Sequence, residues 1–105
     1  MQADPDFELS RDDEADRPVV VARGELDVAT TESLQKAVID AIAGGSPVVL
    51  DLAGISFMDS TGLAGLIALR RVDAVGDRLV LRRPSEAVRR VLELTATGEL
   101  FDVGD

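Results

Sequence analysis

Val48-Val49-Leu50-Asp51-Leu52-Ala53-Gly54-Ile55-Ser56-Phe57-Met58-Asp59-Ser60-Thr61-Gly62-Leu63-Ala64-Gly65-Leu66 is the stretch whose reading decides the fold. It opens on five residues that are apolar except for Asp51, the pattern of a short strand covered on both faces. Ala53 to Asp59 then reads as a loop. Ile55, Phe57 and Met58 are apolar and must be held by packing, so Phe57 and Met58 are expected to plug the core. From Ser60 the period changes. Leu63, Leu66 and Ile67, with Leu69 at the edge, form one apolar stripe of a helix predicted to run to Val72.

Outward from this unit the alternation repeats. Upstream, Leu34, Val38, Ala41 and Ile42 fall at i, i+4, i+7 and i+8, which predicts a helix over Thr30–Ala43. Thr30 or a neighbour can cap its start, Gly44-Gly45 can end it with positive φ, and Ser46-Pro47 cannot continue it. Val19-Val20-Val21-Ala22 before it is a short buried strand, ended by Gly24. Asp6 to Arg11 alternates around Phe7 and Leu9, a half-buried strand, and Arg11 to Arg17 is an acidic hairpin loop. Downstream, Gly76-Asp77 turns the chain into the strand Leu79-Val80-Leu81. Pro84-Ser85-Glu86 opens a third helix with Ser85 as N-cap and Val88, Val91 and Leu92 as its apolar face. Gly98 closes that helix, and Leu100 to Val103 returns as a short strand or anchor. Strands alternating with helices predict an α/β fold: a mainly parallel mixed sheet of four to five strands packed with three or more helices. The whole of residues 1–105 reads as one domain, with an acidic strand and loop at 1–17.

Composition narrows the function. The formal net charge is −9, which argues against binding the phosphate backbone of a nucleic acid. Trp and Tyr are absent and there are three Phe, so stacking platforms for single strands are not expected. The chain has no His and no Cys. That removes Ser-His-Asp and Cys-His catalysis, zinc sites built on imidazole or thiolate, and disulfides. The lack of disulfides and of a hydrophobic leader in Met1–Ser10 points to the cytoplasm. No apolar run reaches the roughly 18 residues a membrane helix needs, so no membrane insertion is expected. Residues 1–16 hold seven acids against one base, Arg11, and account for −6 of the −9. A solvated strand and loop explains this, and a dedicated acidic docking arm is the alternative. Ten of the eleven bases are Arg, six of them in the pairs Arg70-Arg71, Arg82-Arg83 and Arg89-Arg90. These are either solvated element ends or a carboxylate-binding surface.

The chemistry concentrates where the second helix begins. Ser60 can accept a hydrogen bond from a free first-turn N–H, which would make it a structural N-cap. Two features go further. Gly62 and Gly65 lie in the first turns, where each costs about 1 kcal/mol relative to Ala. Close approach of a partner's backbone would compensate, and so would tight packing against the sheet. The side chains around Ser60 are also small, so its hydroxyl is open to a phosphate donor carried by a second protein.

With these residues in view, the chain resembles the STAS-domain anti-sigma factor antagonists, the small bacterial anti-anti-sigma factors. Three segments carry the likeness: Gly24-Glu25-Leu26-Asp27; Val48 to Leu52 running into Ile55-Ser56-Phe57-Met58-Asp59-Ser60-Thr61-Gly62-Leu63; and Ser85-Glu86-Ala87-Val88-Arg89-Arg90-Val91-Leu92. They span nearly the whole chain in order. The resemblance implies a cycle. The unmodified antagonist binds an anti-sigma factor that is also a serine kinase, and a sigma factor is released. The kinase phosphorylates the Ser matching Ser60, binding ends, and a serine phosphatase of the PP2C type resets the protein. Thr61 stands where the family motif often has a second Ser and is the lesser acceptor. Asp27, Asp59, Thr61, Gly62, Leu63 and Gly65 are the expected partner-binding residues. Asp27 can equally cap the first helix, and Asp59 can equally shape the loop. No catalytic residue, metal or cofactor is expected, because the kinase brings its own base and Mg²⁺.

The physics of such a switch can be stated from the residues. A phosphate adds about −1.5 to −2 charge at pH 7. At a helix N-terminus the dipole and free N–H groups would tolerate it, so the fold should survive. A partner surface built for a hydroxyl would not. Other chemistries fit poorly: Asp59-Ser60-Thr61-Gly62 misses the aspartic-protease Asp-Thr-Gly by one residue, Lys36 is the only Lys, and no phosphate-binding Gly-rich loop ends in Lys-Ser/Thr. Scattered carboxylates do not suggest a metal enzyme. The competing reading lies within the same fold: a non-switching STAS interaction subunit, such as a soluble component of a lipid-transport ABC system or a stressosome-type scaffold.

Overall fold

The two N-terminal strands, β1 (Glu8–Arg11) and β2 (Val19–Leu26), pair antiparallel as a hairpin, with Glu8 opposite Arg23 and Arg11 opposite Val20. Every later strand joins in parallel: β3 (Val48–Met58) on β2, β4 (Leu79–Arg82) on β3, and β5 (Asp102–Gly104) on β4. The sheet order is β1-β2-β3-β4-β5. Helices α1 (Thr31–Ile42), α2 (Ser60–Arg70) and α3 (Glu86–Leu94) connect the parallel strands, with 3₁₀ turns at Gly76–Arg78 and Gly98–Leu100. This computed structural model describes residues 7–15, 17–42, 47–72 and 75–104. The Gly44-Gly45 helix stop lies outside the described residues.

Side-chain alternation along the strands builds the core. Val20, Leu50 and Leu81 stand in register on one sheet face and meet Leu34 and Val38 of α1, Leu66 and Leu69 of α2, and Val88 and Leu92 of α3 in one cluster of buried residues. Val19 and Val49, in register on the other face, are buried as well. Leu69 is among the most buried residues of α2, while Ile67 is half-buried, so the edge of the stripe is the reverse of the sequence expectation.

Two boundaries differ from the sequence reading for one reason. Gly24 does not end β2, and Ala53 to Met58 is strand, not loop. The two extensions pair with each other, Gly24 opposite Ile55 and Leu26 opposite Met58, across register shifts between Val21 and Arg23 and between Gly24 and Glu25. The irregularities break the period-2 pattern, and Gly24, at φ 113°, takes the backbone angle they require. As a consequence Phe57 points outward and is 46% exposed, whereas Met58 is buried; Phe57 is not a core plug. The helix ends also shift. α2 stops at Arg70, before Val72. α3 stops at Leu94, where Ala96 (φ 55°) supplies the left-handed residue expected of Gly98. Ser85 caps α3 as expected, accepting from Val88 N–H at 3.3 Å.

The hairpin loop folds back on the sheet through ion pairs. Arg11 holds Asp13 at 2.8 Å, and Glu14 takes Arg82 of β4 through two hydrogen bonds of 2.6 and 3.0 Å. Arg83 pairs with buried Asp51, Arg89 donates to the Pro84 carbonyl at 3.0 Å, and Arg90 lies 3.7 Å from Glu86. Arg82, Arg83 and Arg90 therefore bind carboxylates of this same chain.

Candidate functional site

The parallel strands β2 and β3 end side by side, and each turns directly into a helix. Ligand sites of open parallel sheets gather at such ends. After β2, Asp27 organises the turn into α1: its Oδ1 accepts from Ala29 N–H at 2.9 Å, and its carbonyl accepts from the N–H groups of Thr30 and Thr31 and from the Thr31 hydroxyl at 2.6 Å. Thr30, at the start of the helix, turns its hydroxyl back to the Glu25 carbonyl at 2.7 Å. Val28 at the tip of this turn is 78% exposed. After β3, Asp59 N–H donates to the Leu26 carbonyl at 3.3 Å, which ties the two turns together.

Asp59, and not Ser60, is the N-cap of α2. Its backbone is extended (φ −105°, ψ −173°), and its Oδ1 accepts from Thr61 N–H at 2.9 Å and Gly62 N–H at 3.0 Å. Asp and Ser are both good caps and stand side by side; the residue that keeps the strand conformation takes the role. Ser60 becomes the first helical residue. It is exposed, and among the described residues no hydrogen bond engages its hydroxyl.

The structure separates the expected partner-binding residues into two groups. Asp27, Asp59 and Thr61 lie at or near the surface around Ser60. Gly62, Leu63 and Gly65 are buried and face inward. A Cβ on Gly62 would stand 2.6 Å from the Leu26 carbonyl oxygen, and one on Gly65 would stand 2.0 Å from Thr31 Cγ2. Contact with the fold itself thus explains both glycines: they let α2 sit down on the end of β2 and on α1. Gln35 bridges the helices by donating to the Gly65 carbonyl at 3.1 Å.

Two surface features went unread in the sequence. Exposed Val28 and Phe57 flank the turns that carry Asp27 and Asp59. An open groove of about 570 Å³ runs from Ile55, Phe57 and Met58 to Ala87, Arg90 and Val91 on α3. The signal for Phe57 was the β3 extension, which reverses the direction its side chain takes. Among the described residues no three His, Cys, Asp or Glu side chains gather as a metal site, and no helix is long and apolar enough to cross a membrane.

This five-stranded, mostly parallel sheet with its three helices defines a class of fold. The chain belongs to the STAS domain family: the family model described as "Mlab, STAS domain" matches residues 9–102. Within it, the chain is similar to the anti-sigma F factor antagonist of Lysinibacillus sphaericus, 34% identical over 87 residues that cover 78% of this chain and 74% of that protein. Among solved structures it is similar to an anti-sigma factor antagonist from Mycobacterium paratuberculosis (TM-score 0.80, 27% identity, covering 97% of this chain and 89% of that one). It is also similar to the Bacillus protein SpoIIAA in its phosphorylated form (TM-score 0.59, 29% identity, covering 94% and 91%).

Proposed function

We propose that this chain is a cytoplasmic anti-sigma factor antagonist whose docking is switched by phosphorylation of Ser60. Unphosphorylated, it binds an anti-sigma factor that is also a serine kinase, and a sigma factor is released. The observation that carries the reading is the exposed, unengaged Ser60 hydroxyl on the first residue of α2. The kinase transfers the γ-phosphoryl group of ATP to Ser60 Oγ. The new O–P bond forms as the bond to the bridging oxygen breaks, ADP leaves, and the hydroxyl proton goes to the kinase's base. This chain has no His to serve as that base. A PP2C-type serine phosphatase removes the group by hydrolysis. Neither nucleic acid nor membrane insertion has a place in the cycle.

The energetics favour loss of binding over loss of fold. A charge of about −1.5 to −2 would enter an interface built around a hydroxyl. Desolvating it without a cationic partner costs several kcal/mol, against about 1.4 kcal/mol per tenfold in affinity. A desolvated interface would also strengthen the repulsion between the phosphate and the neighbouring Asp59 carboxylate, which water screens in the free protein.

The test is to mix the purified protein with anti-sigma serine kinases and ATP, map the phosphate by mass spectrometry, and compare the affinities of the two forms. Phosphate on Ser60 with lost affinity supports the reading. Phosphate elsewhere, or unchanged affinity of the Ser60-phosphorylated form, overturns it. A non-switching interaction subunit of the same fold would leave Ser60 unmodified.

A further inference from the structure

We infer that Asp59 is a positioning residue for the switch: it keeps a phosphate on Ser60 away from the Thr61 and Gly62 amides in the first turn of α2 and facing outward. The inference rests on the reading of Ser60 as the acceptor. A phosphate at a helix N-terminus ordinarily finds free N–H groups. Here the amides of Thr61 and Gly62 already donate to Asp59 Oδ1 at 2.9 and 3.0 Å, and the amide of Leu63 donates to the Asp59 carbonyl at 3.0 Å. To reach them the phosphate would have to evict a carboxylate. That exchange replaces one anion with another, gains no hydrogen bond on balance, and leaves the displaced Asp59 charge beside a dianion. Approach from the inner side is closed as well, because Gly62 is buried against the Leu26 carbonyl and the Met58 side chain. Of the amides that could receive the phosphate, the aspartate cap reserves two. The added charge therefore stays at the surface that a partner would cover, and the fold has no reason to rearrange.

The test installs phosphoserine at position 60 during translation, so that no kinase is involved, in the wild type, Asp59→Gly and Asp59→Asn. Glycine is a tolerated N-cap and frees the amides, and asparagine keeps the cap without its charge. In the wild type, phosphorylation is expected to leave the Thr61 and Gly62 amide NMR resonances close to their unmodified positions and the melting temperature unchanged or lower. In Asp59→Gly the same amides move downfield, and the melting temperature rises by about 4–8 °C, the shift expected of roughly one new charge-assisted contact in a domain this size. Asp59→Asn falls between the two. Wild-type amides that move downfield on phosphorylation, or an equal rise in melting temperature with and without the aspartate, overturn the inference. A kinase that never modifies Ser60 would sink the proposed function and leave these measurements intact.

Discussion

Gly65 and Thr31 bring α2 and α1 into direct contact, so close that a Cβ on Gly65 would meet Thr31 Cγ2 at 2.0 Å. Alanine at this position gains about 1 kcal/mol of helix propensity. Overpacking against a stiff β-branched side chain costs about 1–3 kcal/mol. The clash is severe enough to win, so Gly65→Ala is expected to be destabilised by about 1–2 kcal/mol in urea unfolding. Thr31→Ser deletes the offending methyl but keeps the hydroxyl bonded to the Asp27 carbonyl. The double variant Thr31→Ser/Gly65→Ala should therefore recover wild-type stability or exceed it. A double variant as unstable as Gly65→Ala would mean that another contact decides the site.

What the sequence made legible was whatever local period or capping chemistry encodes. The stripes Leu34-Val38-Ala41-Ile42 and Val88-Leu92, the Ser85 cap and the succession of strands and helices along the chain needed only near neighbours. The misreadings involve partners distant in sequence. Ala53–Met58 looks like loop until Arg23–Leu26 lies beside it. The choice between Asp59 and Ser60 as cap turns on one residue's backbone angles. The exposure of the Ser60 hydroxyl was legible from its small neighbours, whereas for Gly62 and Gly65 packing against the fold was one of two readings, and choosing it needed Leu26 and Thr31, which lie far away in the chain.

The Arg83–Asp51 pair gives a second prediction. Asp51 is buried in β3, and its Oδ1 also accepts from Ala53 N–H at 3.0 Å. Arg83 reaches it from a left-handed backbone at φ 47°. Arg83→Ala loses the partner and keeps the unfavourable angle, whereas Arg83→Gly loses the partner and removes the steric cost of about 1–2 kcal/mol. Urea unfolding should find the glycine variant more stable than the alanine variant by about 1 kcal/mol. Equal stabilities would show that the backbone angle carries no cost here.

The Glu14–Arg82 pair, 68 positions apart in sequence, predicts a pH dependence. Hydrogen bonds from Arg82 hold the Glu14 carboxyl down to about 2 from its ordinary 4.5, with a smaller contribution from Arg17. A depressed carboxylate stabilises the fold at pH above the unfolded-state value. That contribution fades as pH falls from about 4.5 toward 2 and the group protonates. Glu14 is well exposed and Arg82 partly so, and the effect is therefore modest and weakened by salt. Melting temperature followed over this pH range should fall less steeply in Glu14→Gln than in the wild type. Parallel curves would show that the pair is not formed in solution.

On the proposed reading of Ser60 as the docking switch, Phe57 tests how far the docking surface extends. It is half exposed beside the groove that runs from β3 to α3, so truncating it removes little that the fold buries. Phe57 lies three residues before Ser60 and lines the groove, so on that reading the partner also covers it as one of the few aromatic anchors that contribute more than about 1 kcal/mol at an interface. Phe57→Ala is accordingly expected to weaken binding of the anti-sigma partner by about tenfold or more in calorimetry, with unfolding free energy changed by less than about 1 kcal/mol. Leu94 is 79% exposed on α3 but does not line the groove, and Leu94→Ala is the matched control, expected to bind as the wild type does. If the two variants bind alike, exposed apolar area is not what the partner reads, and recognition is confined to the turns carrying Asp27, Asp59 and Ser60.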